Sequence, residues 1–369
     1  MKSIIIFTCI LLNAFLASCS FQISLFKEIN KVNIKNNAII SPLCAYLVLG
    51  FAANGAEGEA LDEMMSVLEN VNIEEVNEIN GKITIYLKEF SSINLANAVM
   101  NAKETKSTFQ FTSIVYEIPI EKLESITQVN NWCKESTKGN IEAILYSYDP
   151  KVVMLLLNAI YFNGKWKTEF DRTKKGIFYD FNDKLIEKQV ELMTIESEFS
   201  YYEDKTVQII ELPYDKDDLS AIIILPNEDM NINDYIINLT DDKLSKLIKR
   251  MHSQKIYLEL PKFEIGFSVY LTEALKEMGM KIPFTSKANF SKIGKDVYLS
   301  EIIQKIIFSV NEKGANSAKV KNEINITKNE EKRLSMIVNR PFLFMLRNSK
   351  FPTNYQILFM AKLEYIKLN

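Results

Sequence analysis

Val152–Phe162 reads VVMLLLNAIYF, an apolar run with almost no polar break. A strand that faces water on one side alternates apolar and polar residues, whereas a run apolar at nearly every position must be covered on both faces. The segment therefore predicts a central strand with packed layers above and below it. The rest of the chain has to supply those layers, and 369 residues are ample for one large core or two ordinary domains.

Candidate layers are legible on either side. Phe21, Ile23, Leu25, Phe26, Ile29 and Val32 recur at helical spacing and predict an amphipathic helix. Asn37–Leu43 reads as a short strand followed by a Ser41 cap, with Pro42 at the first helical position. Leu43–Phe51 is nearly all apolar, so that helix is expected to be buried, and Ala60–Leu68 repeats the amphipathic pattern. From Asn70 to Gln128 the pattern weakens: Ile83–Phe90 fits a helix or a strand, and Ile93–Met100 a strand. Val129 opens a helix that should end near Lys138-Gly139, where glycine suits the left-handed cap. Further strands are predicted at Glu187–Met193, Val207–Pro213, Ser220–Pro226 and Tyr257–Phe263, and a helix stripe at Leu271, Ala274, Leu275 and Met278. Phe342–Leu346 and Ile357–Lys362 read as a buried C-terminal hairpin. No repeat, low-complexity tract or linker divides this series. It describes one α+β domain.

The composition, 47% hydrophobic and 25% charged, is that of a globular protein. A net charge of -3 gives no electrostatic case for nucleic acid. Residues 1–20 differ in kind: Lys2 precedes an apolar stretch from Ile4 to Leu16, and Ala17-Ser18-Cys19-Ser20 are small. This predicts a secretory signal peptide, too short to span a membrane comfortably, with the folded domain at residues 21–369. The same residues also fit a bacterial lipoprotein box with Cys19 lipidated, the only reading that ties the chain to a membrane. Cys9 lies in the leader; Cys44 and Cys133 fall in separate helical patterns and predict two buried thiols, not a bridge.

Catalytic chemistry finds no foothold. His252 is the only histidine, in the basic stretch LIKRMHSQK, so any Ser-His or Cys-His machinery would depend on a residue expected to be solvated. The nucleophile-elbow, zinc-protease and phosphate-loop motifs are missing from the sequence, and no Cys/His cluster suggests a metal. No cofactor is expected, and no catalytic residue.

The most distinctive stretch is Phe308–Lys328, FSVNEKGANSAKVKNEINITK. Ile302, Ile303, Ile306, Ile307, Phe308 and Val310 close a strand pattern, and Glu312-Lys313-Gly314 then leads into the small or polar residues Ala315, Asn316, Ser317 and Ala318. A strand that runs out into small residues reads as a hinge. Its order (acidic, any, Gly, small, any, small, small) resembles the hinge of the serpin family. So do "SP" at Ser41-Pro42, Gly55-Ala56-Glu57-Gly58, Asn131-Trp132 with Gly139, Asn158 with Gly164 and Trp166, Glu211-Leu-Pro-Tyr214, Leu260-Pro-Lys-Phe263 and the C-terminal hairpin. The motifs occur in the family's order across essentially the whole mature chain. Cys44 departs from the usual Ser, Gln304 stands where His is usual, and Ala361 where Gly is commoner.

The resemblance implies a single-domain serpin fold: a large mixed β-sheet, smaller sheets, about seven to nine helices and an exposed reactive-centre loop. It implies a monomer that traps a trypsin-like serine protease covalently after loop cleavage. The usual loop spacing puts the scissile bond at Lys328-Asn329, with Lys332 and Arg333 as alternatives. Ser41, Asn158, Gln304 and Trp166 fall at positions where the main sheet opens. Lys319 and Lys321 fall on the inserting face, where burying an ammonium is costly, and this favours the alternative of a non-inhibitory binding, carrier or decoy protein. Asn238, Asn289 and Asn325 are glycosylation sequons, the last beside the expected cleaved bond. The region from Asn70 to Gln128 resembles compact poxvirus members in looking short of two helices, so no helix for a heparin-like cofactor is expected there.

Overall fold

The computed structural model describes residues 19–70, 72–180, 186–314 and 334–367. The predicted central strand is β4 (Met154–Phe162), and its neighbours form a five-stranded sheet in the order β10 (Phe263–Tyr270), β11 (Leu299–Val310), β4, β2 (Ile93–Asn101), β3 (Ile120–Lys122). Its two faces bury different cores. Leu155, Leu157 and Ala159 join Val129 and Cys133 of α6 (Ile126–Ser136), which lies across the sheet. On the other face, Met154 and Leu156 pack with the helical layer, and Ile160 and Phe162 with the second sheet. The sequence demanded cover on both faces, and these three clusters supply it.

That helical layer begins with α1 (Phe21–Lys31), then α2 (Pro42–Ala53) after the short strand β1 (Ala38–Ile40), and α3 (Glu59–Val67). The Ser41 hydroxyl accepts the Cys44 N–H, and Pro42 opens α2, as the cap pattern required. All twelve residues of α2 are buried. Cys44 and Cys133 are both buried and free.

The expected trimming between Asn70 and Gln128 is wrong. Two helices stand there, α4 (Ile73–Lys88) and α5 (Ser107–Tyr116), and Ile83–Phe90 is mostly the last part of α4. Asn72 caps α4 by accepting the Glu75 N–H. Tertiary contacts hold the pair: Asn54 and Asn77 exchange reciprocal amide bonds at 2.9 Å, and Phe51 meets the Phe109 and Tyr116 rings. Among the described residues there are nine α-helices, the remaining three being α7 (Ile232–Ile237), α8 (Asp241–Arg250) and α9 (Thr272–Glu277). None of them is long and apolar enough to cross a membrane.

The second sheet is nine-stranded, in the order β1, β14 (Ile357–Leu363), β13 (Phe342–Asn348), β8 (Leu219–Pro226), β7 (Val207–Pro213), β6 (Ile186–Glu203), β9 (His252–Pro261), β12 (Ser335–Ile337), with β5 (Arg172–Asp180) also on β6. The long β6 pairs β5 through Thr194 and β7 only from Ser200, so it passes from one sub-sheet into the next. Here the smaller sheets of the expected fold are joined. His252 opens β9 just after the end of α8, and it is exposed as anticipated.

Candidate functional site

β11 and β4 run parallel, while β10 pairs antiparallel with β11 and β2 with β4. The parallel seam is crossed midway by buried polar side chains. Register places Gln304 of β11 beside Asn158 of β4. The Gln304 amide donates to the Asn158 Oδ1 at 3.3 Å and to the Ser41 carbonyl at 3.0 Å, and its Oε1 accepts the Ser41 N–H at 2.6 Å. Asn158 in turn donates to Asn97 Oδ1 on β2 at 2.6 Å. Ser41 also donates to the Cys44 sulfur at 2.9 Å. Burial pushes the Cys44 thiol up to about 12, against the pull of that hydrogen bond, so it is inert as a nucleophile. Three strands and the start of α2 are thus joined; Gln304, Asn158 and Ser41 are buried and Asn97 half-buried, and at the buried three an unmade bond costs its full desolvation.

The exit of β11 is fastened differently. Asn311 and Gly314 close a turn by exchanging backbone bonds of 2.7 and 3.1 Å. The following segment is stitched on from outside: the Trp166 N–H donates to the Lys313 carbonyl and the Phe170 N–H to the Glu312 carbonyl, both at 2.9 Å. The Trp166 indole donates to the Asn311 carbonyl at 2.9 Å and stacks on Tyr214 at 4.3 Å between centroids. Gly314 has φ +132°, and a Cβ there would lie 2.1 Å from the Gly164 carbonyl oxygen. Only glycine fits this approach.

Glu312 points into a polar clasp. Its carboxylate accepts from Lys262 Nζ at 2.5 Å and from the Thr173 hydroxyl, while Lys262 also reaches Glu191 at 3.1 Å. Burial works against the charge on Glu312, but the Lys262 and Thr173 hydrogen bonds outweigh it and hold the carboxyl below its ordinary range. Desolvation likewise opposes the Lys262 charge, and its two carboxylate partners raise it above normal. Each partner keeps the other ionised.

A family model described as "Serpin (serine protease inhibitor)" matches residues 16–366. The chain belongs to the serpin family. Serpins are mostly protease inhibitors and not themselves enzymes. Among curated relatives, this serpin is 31% identical over 228 residues to intracellular coagulation inhibitor 2 of Tachypleus tridentatus, covering 60% of this chain and 56% of that one. It is 28% identical over 362 residues to human serpin B8, covering 90% and 95%. Among solved structures, the thermophilic serpin tengpin in its native state superposes with a TM-score of 0.83 at 30% identity, covering 94% of this chain and 92% of that one. The family has intracellular as well as extracellular members.

Of the residues singled out from sequence, Ser41, Asn158 and Gln304 meet in one network, and Trp166 joins Glu312 and Gly314 at the strand exit. Asn238 and Asn289 are exposed and separate from both. Ala315, Asn316, Ser317, Ala318, Lys319, Lys321, Asn325, Lys328, Asn329, Lys332 and Arg333 lie outside the described residues. Sequence reading missed Lys262, Thr173 and Asn97. Lys262 had a signal in its position after Leu260-Pro261, and Asn97 in its place as a polar residue within a strand; Thr173 had none.

Proposed function

We propose that this serpin is a secreted suicide-substrate inhibitor of a trypsin-like serine protease. The observation that carries the reading is the parallel seam of β4 and β11, with the hinge leaving the end of β11 itself. A segment that turns back after Gly314 would run antiparallel to both strands. Its entry would replace one parallel pairing with two antiparallel ones, which are slightly more stable per residue. Protease serine attack on the Lys328 carbonyl would break the Lys328–Asn329 bond, release the Asn329 amine and leave Lys328 as an ester on the enzyme. Insertion of Ala315–Ala318 and the following residues then competes with hydrolysis of that ester.

The seam network and the Glu312 clasp set the barrier to entry, because both must be exchanged for new partners. Lys319 and Lys321 oppose it, and Asn325 would crowd the docking protease if glycosylated. These residues favour the second reading, a binding, carrier or decoy serpin whose loop is cleaved without trapping. Incubating the mature protein with trypsin, plasmin and thrombin separates the two on a denaturing gel. A band of summed mass that Lys328→Ala abolishes supports the inhibitor. Clean cleavage with fully active protease leaves the decoy, and a large thermal gain on cleavage would still report insertion.

A further inference from the structure

The beginning of α1 meets two carboxylates from distant parts of the chain. The Ser20 N–H lies 2.5 Å from Asp241 Oδ2, and the Ser20 hydroxyl donates to Asp241 Oδ1 at 2.6 Å. Asp241 is the first residue of α8, and its carboxylate therefore addresses backbone and side chain of one residue at once. Glu69, just past the end of α3, accepts the next N–H, that of Phe21. Among the described residues neither Asp241 nor Glu69 forms an ion pair. Lys27, the cation at this end of α1, is turned to the Cys19 sulfur at 3.1 Å. Two carboxylates thus converge on consecutive backbone nitrogens without a cation between them.

We propose that the leader is removed between Cys19 and Ser20, and that the new α-ammonium group of Ser20 docks on Asp241. This differs by one residue from a leader ending at Ser20. Cleavage adds water across the Cys19–Ser20 amide: Cys19 keeps the carboxylate and the Ser20 nitrogen takes up protons to become an ammonium, the hydrolysis being that of a leader peptidase. Ala17 and Cys19 supply the small residues such an enzyme needs before the cut.

Two features favour this bond. Ser20 is buried, its carbonyl accepts the first bond of α1 from the Ser24 N–H at 2.9 Å, and its hydroxyl is taken by Asp241, so a cut after Ser20 would remove a structural residue. Burial, helped by the Asp241 charge and opposed by the Phe21 N–H, pushes Glu69 up to about 7, and an ammonium group placed beside these carboxylates would favour their charged forms.

The full chain, secreted from insect cells on its own leader, should give an intact mass and an N-terminal sequence beginning at Ser20. Two further preparations, released from a cleavable carrier with Ser20 first, would carry a free or an acetylated α-amine, each with and without Asp241→Asn. Acetylation should lower the melting midpoint at fixed scan rate by about 2 °C or more, and Asp241→Asn should cost less in the acetylated protein than in the free one. A mature chain beginning elsewhere overturns the proposal, as does an equal Asp241→Asn effect on both. Where that variant does not fold, equal midpoints for free and acetylated wild-type chains overturn it.

Discussion

The seam between β4 and β11 and the hairpin of β13 and β14 are both buried, yet the side chains at their centres differ in kind. Phe342, Phe344, Leu346, Phe359 and Met360 in the hairpin are at most 1% exposed, and their side chains are apolar, so beyond the strand ladders they are held by packing. Phe344 packs against Phe263 and Phe308 with centroids 5.7 and 5.1 Å apart. Such contact has no alternative partner of equal worth, so it favours permanence. The seam instead uses Gln304, Asn158 and Ser41, whose hydrogen bonds another strand could take over. Lys362 of the hairpin also makes buried polar bonds, and Phe162 stacks on Phe308 across the seam, so the contrast lies at the seam's midpoint, where the side chains that meet are polar and exchangeable.

Phe344→Ala breaks the permanent side and should have the largest effect, a loss of about 3–5 kcal/mol in urea unfolding. An equal loss from a seam variant would remove the contrast. Gln304→Ala breaks the network and strands buried groups on Ser41 and Asn158, at roughly 2–4 kcal/mol for the two; loop-peptide uptake into the sheet should accelerate. Unchanged uptake would mean that the polar seam does not limit opening. Gly314→Ala forces either the hinge or Gly164 to move and should cost about 1–3 kcal/mol, read as faster protease nicking after the hinge.

Glu312→Gln sharpens the comparison at its smallest end, with a loss of about 1–2 kcal/mol at neutral pH. Because the folded protein holds Glu312 below its ordinary range, the stability it adds is complete above the unfolded carboxyl value and is lost as pH falls through the folded one. Lys262, raised in the folded protein, adds stability that is present below its unfolded value and lost as pH rises through the folded one. The variant should therefore flatten the acid limb of the stability profile below about pH 4.5. An acid limb unchanged in Glu312→Gln would place that titration elsewhere.

Legibility in the sequence followed burial. The Val152–Phe162 strand, the apolar α2 and the C-terminal hairpin could be read because nearly every residue in them is buried, so composition alone reports their place. α4 and α5 could not. Only Val76, Asn80 and Ile83 of α4 are buried, while Phe111, Ile114 and Val115 of α5 are exposed, so neither shows a clean stripe. Those helices depend on α2, through Asn54 and Phe51, and no periodicity within their own segments records that.

The sequence by itself determined which segments must lie inside, the order of the family's motifs, and the strand that ends in Glu312, Lys313 and Gly314. Only the tertiary structure decided that Gln304 faces Asn158, that Lys262 and Thr173 hold Glu312, and that Asp241 and Glu69 meet the start of α1. Hydrophobic burial is a property of a residue and its near neighbours along the chain. The partner of a hydrogen bond or a charge is set by strand register and by elements far apart in sequence, and it exists only once they have packed.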